Sequence, residues 1–260
     1  MEHPTWQITI LTFALSLSVL IGIFYNRWLS GRGRSLFIRR IPGLSALDEA
    51  VGRATEMGRP VLFVPGIGSL DIVSLQALAI LSHVTRIAAR YGSRVIVPSA
   101  DSIVFTLAEE VSREAYTAED AADHYDPEDV RYLSDNQFAF ASGVVGILNR
   151  EKVASACYFG SFFAESLILA ETGHQVGAIQ VAGTPSTTQI PFFLAACDYT
   201  IIGDEFFAAS AYLSREPTLL GSLVGQDVAK GIIIALVIAG TAIATVFGVQ
   251  SGVLKGLLGL

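Results

Sequence analysis

The hexapeptide Gly66-Ile67-Gly68-Ser69-Leu70-Asp71 is a place where residue types and spacing could do chemistry. It follows the apolar run Val61–Pro65 and opens a helical pattern, the position at which a glycine-rich loop cradles a phosphate. Gly66 and Gly68 match the first two glycines of a dinucleotide fingerprint, but Asp71 stands where a third Gly or Ala belongs. A carboxylate at a helix N-terminus repels a pyrophosphate and can itself cap the helix. No Gly-Lys-Ser/Thr follows, which excludes a P-loop. The spacing predicts a tight strand-to-helix turn.

The other candidate strand ends are also small and polar: Ser99-Ala100-Asp101, Gly160-Ser161, Gly183-Thr184-Pro185-Ser186-Thr187-Thr188 and Gly203-Asp204-Glu205. In open α/β sheets ligands bind outside the carboxyl ends of the strands. A pocket there would be lined by Ser69, Asp71, Asp101, Ser161, Thr184, Thr187, Asp204 and Glu205. So acidic a lining suits a cation or an amine. The competing expectation is helix capping, for which Ser, Thr and Asp are favoured.

A catalytic set does not emerge. There is no Gly-x-Ser-x-Gly elbow. His83 falls mid-helix, His124 in an acidic stretch and His174 in a turn, while Cys157 and Cys197 lie in or beside core strands. Glu165, in an apolar helix, calls for a polar partner or a subunit contact. Glu119 to Asp129 gathers six acids around one His. It lacks the central Gly of a calcium loop and reads as an exposed acidic edge. Two cysteines without a Cys-x-x-Cys pair argue against zinc and against a disulfide framework. We expect no catalytic residues, no metal and no cofactor.

The elements that would position these residues alternate. Strands are predicted at Val61–Pro65, Arg94–Pro98, Ala154–Phe159, Ala178–Ala182 and Tyr199–Ile202. Helices are predicted at Asp71–Tyr91, Ser102–Tyr116, Asp135–Asn149, Ser161–Thr172, Thr187–Ala195 and Asp204–Ser214. Strands alternating with helices imply an α/β fold: a Rossmann-like, doubly wound, mostly parallel sheet of about five strands.

Both ends of the chain differ from this middle. Of the 260 residues only 16% are charged, against about 25% in a typical soluble domain. Trp6–Tyr25 is 20 residues without a charge, the length a bilayer core requires of a helix. The run from Gly231 stays uncharged until Lys255, and in it Gly240, Ala244, Gly248, Gly252 and Gly256 recur every fourth residue. That places five small residues on one helix face, which favours close helix–helix packing in lipid. Residues 26–40 hold Arg27, Arg32, Arg34, Arg39 and Arg40 and no acid. Arginines that follow an apolar run mark an uncleaved anchor rather than a signal peptide, and they stay cytoplasmic at the membrane surface. Residues 41–230 carry 11 basic and 23 acidic side chains, so the body repels nucleic acid.

The stretch Ala211-Tyr-Leu-Ser-Arg-Glu-Pro-Thr-Leu-Leu-Gly-Ser-Leu-Val-Gly-Gln-Asp227, running into the last apolar segment, resembles an uncharacterised prokaryotic two-span membrane protein family. The resemblance implies one N-terminal span, a cytoplasmic α/β domain with a strand ending in Gly-Asp/Glu-Glu, and a C-terminal span. It implies no activity and supplies no catalytic residue.

The expected organisation is an anchor at 1–28 and a basic juxtamembrane segment with a lead-in helix at 29–59. The α/β domain follows at 60–216, then a linker at 217–230 and a second transmembrane helix at 231–260. The expected location is the inner (cytoplasmic) membrane, with the central domain cytoplasmic and both termini opposite. The expected role is a non-catalytic assembly or scaffold protein that contacts membrane lipid. It would form a homo-oligomer or belong to a larger membrane complex, and it would bind no nucleic acid. The alternative is a ligand-binding or enzymatic domain with the acidic strand-end pocket.

Overall fold

In the computed structural model, the described residues are 42–214 and scattered positions at 13–28 and 227–242. The chain divides into two compact units, residues 39–214 and residues 1–38 with 215–260. In the second unit the described positions are helical, and Phe13, Phe24, Ile234, Val237 and Ile238 are exposed. Arg27, Arg32, Arg34, Arg39 and Arg40 lie outside the described residues. So do Gly240, Ala244, Gly248, Gly252 and Gly256.

The central unit is built on six strands: β1 Val61–Gly66, β2 Val95–Ser99, β3 Val130–Tyr132, β4 Ser155–Ser161, β5 Ile179–Thr184 and β6 Tyr199–Ile202. The order across the sheet is β3-β2-β1-β4-β5-β6, and every pairing is parallel. This is the doubly wound dinucleotide-fold order, with its switch point between β1 and β4. The expectation of about five strands therefore rises to six. The addition is β3, which follows the acidic stretch directly. It is three residues long, and only Val130 in it is buried, so it offers almost no apolar run to read.

Seven α-helices accompany the sheet: α1 Pro42–Glu56, α2 Ile72–Arg90, α3 Ser102–Ala118, α4 Gln137–Glu151, α5 Glu165–Gln175, α6 Ile190–Ala196 and α7 Glu205–Ser214. Side chains alternate across a strand, so each strand feeds two cores. Phe63 of β1, Cys157 and Phe159 of β4 pack with α1, α2, α3 and α7 through Leu47, Leu81, Val104 and Phe206. Leu62 and Val64 of β1 and Tyr158 of β4 pack with α4, α5 and α6 through Phe140, Leu169 and Phe193. Strands covered on both faces must be apolar throughout, and β1, β2 and β4 are buried along nearly their whole length.

Among the described residues, α2 is the one helix long and apolar enough to cross a membrane. Just over half of its apolar window, 56%, is buried inside the domain. Ala77, Leu81, Val84 and Ala88 belong to the first core, so α2 is a core helix. Helix α1 runs from one end of the sheet to the other. Gly43 in its first turn lies against Ile201 near the C-terminal end of β6. At its far end Thr55 Oγ1 accepts a hydrogen bond from the Ser93 hydroxyl (2.8 Å), just before β2.

Candidate functional site

The six strand-to-helix connections emerge at one end of the sheet, and the sequence placed the candidate pocket there. The switch point holds two glycines in conformations that L side chains avoid. Gly66 has φ +87° and Gly160 has φ +144°. A Cβ on Gly66 would sit 2.5 Å from Ser161 O, and one on Gly160 would collide with Pro65 O. Ile67 N–H donates to Ser161 O (2.9 Å), and a Cβ on Gly68 would lie 3.1 Å from Ser161 Cβ. The glycines of the loop thus serve a close approach of backbone to backbone between β1 and β4. In a dinucleotide fold that approach serves the pyrophosphate.

The helix N-terminus beyond the loop is also occupied. Asp71 caps α2: the Ser74 amide and hydroxyl donate to its Oδ1 at 2.8 and 3.0 Å, and the Ser74 hydroxyl also reaches Ser69 O (2.9 Å). Asp101 caps α3 by accepting from the Ile103 and Val104 amides (2.8 and 3.0 Å). Thr184, fully buried at the end of β5, accepts from the Ser186 amide (3.2 Å). Ser161 ends β4 half-buried, and Thr187 is exposed. Asp204 and Glu205 are exposed at the start of α7, where the Asp204 carbonyl accepts from the Phe207 amide (3.2 Å). The eight pocket residues therefore share one end of the sheet. Asp71 and Asp101 each commit Oδ1 to their own helix, and Thr184 commits its hydroxyl oxygen to its own turn.

A polar group that sequence reasoning only half identified joins three helix starts. Glu165 is completely buried at the first position of α5. Its Oε1 accepts from the Phe163 amide (2.8 Å) and its Oε2 from Gln137 Nε2 (2.6 Å), in the first turn of α4. The neighbouring Ser166 hydroxyl donates to Gln189 Oε1 (2.8 Å), which precedes α6. Gln137 and Gln189 carry no motif. Their only signal is a polar side chain at the mouth of an otherwise apolar helix.

A feature missed altogether is apolar. Each connection leaves at least one large hydrophobic side chain in solvent, among them Ile72, Ile103, Phe138, Phe163, Phe192 and Ile202. Ile72 and Phe138 are 64% and 63% exposed. Near each cap the sequence carries apolar residues of which some turn inward, such as Val104, Phe162 and Phe206, and others stay in solvent, so no single position announces the rim. The same connections, 66–75, 99–105, 132–140, 161–168, 184–193 and 202–208, contain six acids and no Lys, Arg or His.

The cations gather toward the opposite end. Arg94, just before β2, pairs with buried Asp129 (2.5 Å), and Arg131 reaches Glu151 (3.3 Å) at the end of α4. Arg90 forms two hydrogen bonds with Glu119 (2.6 and 2.9 Å), which hold the Glu119 carboxyl below its usual range. The acidic stretch is thus partly built into the fold, as two short 3-10 turns leading to β3. His124 lies in the first turn, His83 is 3.1 Å from Asp48, and His174 is near the end of α5. Burial pushes both thiols up to about 12, Cys197 with a further push from the Asp198 charge, so neither is a nucleophile at neutral pH. Among the described residues no three His, Cys, Asp or Glu side chains converge as a metal site requires.

No curated protein matches this chain. Residues 3–254 match the family described as Domain of unknown function (DUF6754), which covers nearly the whole chain. The shared region includes the Asp71 and Asp101 caps, the switch-point glycines and the apolar rim, so these features sit inside the family's defining segment. The protein is a member of the DUF6754 family.

Proposed function

We propose that this protein is a membrane-anchored assembly or scaffold protein that works without catalysis. One observation carries the reading: at the end of the sheet where a doubly wound fold does its chemistry, Asp71, Asp101 and Thr184 are turned into caps and a turn, while every connection leaves a large apolar side chain in solvent. A surface of that kind fits a macromolecular partner better than a small polar substrate.

Trp6–Tyr25 and the apolar run from Gly231 are the anchors in this reading. Exposed Phe13, Phe24, Ile234 and Ile238, all at helical positions, fit a lipid-facing surface. The arginines after the first run put the central domain on the cytoplasmic side of the inner membrane, with both termini opposite. The small-residue stripe Gly240 to Gly256 supplies a packing face between copies, or with another subunit.

The test is the native mass of the detergent-extracted full-length protein, by light scattering corrected for bound detergent. A defined multimer, or a particle with further subunits, is expected. A monomer would overturn the assembly reading and leave the stripe to pack the two spans of one chain.

A further inference from the structure

The apolar rim can be assigned an occupant from its charge. Its members Ile72, Ile103, Phe138, Phe163, Phe192 and Ile202 stand one on each strand-to-helix connection, across the full width of the sheet. Six strands set about 4.8 Å apart span roughly 24 Å. The acids of the same connections have no basic residue among them, and Asp135 and Glu205 are exposed. An anionic bilayer is the wrong partner for this surface, because it would face acids without a compensating cation. A neutral apolar partner leaves those acids unanswered. The fitting chemistry is cationic and apolar at once.

This chain carries such a segment. Residues 27–40, Arg-Trp-Leu-Ser-Gly-Arg-Gly-Arg-Ser-Leu-Phe-Ile-Arg-Arg, hold five arginines, no acid, and Leu36, Phe37 and Ile38 in a row. Fourteen residues reach only about 21 Å as a helix but about 46 Å when extended, which is enough to cross the rim. We propose that the rim of one copy binds segment 27–40 of a second copy, with Leu36–Ile38 against the exposed isoleucines and phenylalanines and the arginines against Asp135 and Glu205. The contact is heterologous: each copy offers a rim to one neighbour and a segment to another. It therefore closes into a ring or propagates. This inference rests on the assembly reading above and gives it a mechanism outside the membrane.

The experiment uses the full-length protein in the membrane, with two differently tagged copies co-expressed. A photo-crosslinking amino acid replaces Phe163 in one copy, every product carrying that copy's tag is isolated, and the crosslinked peptide or lipid is identified by mass spectrometry. A crosslink into residues 27–40 of the other copy is expected. Asp135→Arg with Glu205→Arg should reduce it by about tenfold, since exposed charge pairs are each worth a factor of up to about five. Adding Arg39→Glu and Arg40→Glu should restore it. The restoration separates lost docking from a lost fold.

A crosslink confined to one chain, one to lipid, or one insensitive to the charge reversals overturns the proposal. A multimer whose crosslinks map elsewhere overturns it while leaving the assembly reading intact, whereas a monomeric native mass removes that reading itself.

Discussion

Replacing Glu165 tests whether the rim's scaffold is held by the polar group at the start of α5. The carboxylate is fully buried and accepts two hydrogen bonds, from the Phe163 amide and from Gln137 Nε2. Glu165→Leu keeps the volume but leaves both donors without an acceptor. An unsatisfied buried donor costs about 1–3 kcal/mol. Gln137 is half-buried and can turn part of its amide to water. The expected loss is therefore about 2–4 kcal/mol, a large share of the roughly 5–15 kcal/mol that holds a domain together. Glu165→Gln should cost only about 1 kcal/mol, because Gln137 can flip its amide and accept where it formerly donated. In urea, with a slope of about 2 kcal/mol per molar, the two variants should shift the midpoint down by roughly 1.5 M and 0.5 M. Far-UV circular dichroism of the detergent-solubilised chain reads that transition. Removing a buried charge can also stabilise a protein when its partners leave with it; here they remain. A Glu165→Leu midpoint equal to or above that of Glu165→Gln would refute the reasoning and make Glu165 a burden that the fold tolerates.

Three further outcomes are expected. Gly160→Ala forces a Cβ toward Pro65 O at a φ of +144°, and strain of about 1–3 kcal/mol should lower the thermal midpoint by about 5 °C; an unchanged midpoint would mean that the two strand ends can separate freely. Cys157 and Cys197, both pushed up to about 12 by burial, should resist a thiol reagent at pH 7.5 in the folded chain and react fully in guanidinium, as thiol titration before and after denaturation reads. The Glu119 carboxyl is held low by Arg90, so its contribution to stability is complete above the unfolded value of about 4.3 and fades as pH falls through the lower folded value. Glu119→Gln should therefore flatten the drop in the urea midpoint between pH 6 and pH 3, whereas an undiminished slope would place the acid sensitivity elsewhere.

How much of this was legible in the sequence varied with the kind of signal. The α/β alternation was plain because β1, β2, β4 and β5 are buried apolar runs that end at small or turn-forming residues. Strand β3 was not, because its position is fixed from outside. Arg94 holds Asp129 beside β2, and Val130–Tyr132 then pair with Val97–Ser99. That is a long-range ion pair, which no local pattern reports. The helix expected from Ser161 begins at Glu165 instead, since Ser161 still pairs with Gly66 across the switch point. The strand-end residues were read both as pocket lining and as caps, and the structure shows Asp71 and Asp101 at the caps. Asp71 and Asp101 take the caps because the first helical amides are two and three residues away and always present. A pocket would have needed an extra constraint to hold the carboxylates off them.

The rim shows why composition alone understated this end of the molecule. Four of its acids were read as pocket lining and most of its hydrophobics as parts of helices, because each connection was weighed by itself. A parallel sheet brings every strand-to-helix connection to the same edge, so a residue choice repeated six times becomes a surface. An isolated exposed Ile or Phe says nothing. At least one on every connection, where the connections carry acids and no cation, amounts to a specification for what can bind there. The requirement is apolar contact with positive charge at its flanks, which is the composition of Arg34–Arg40, the segment of the proposed contact. If the proposed contact forms, the chain carries both of its halves and needs no further component to assemble.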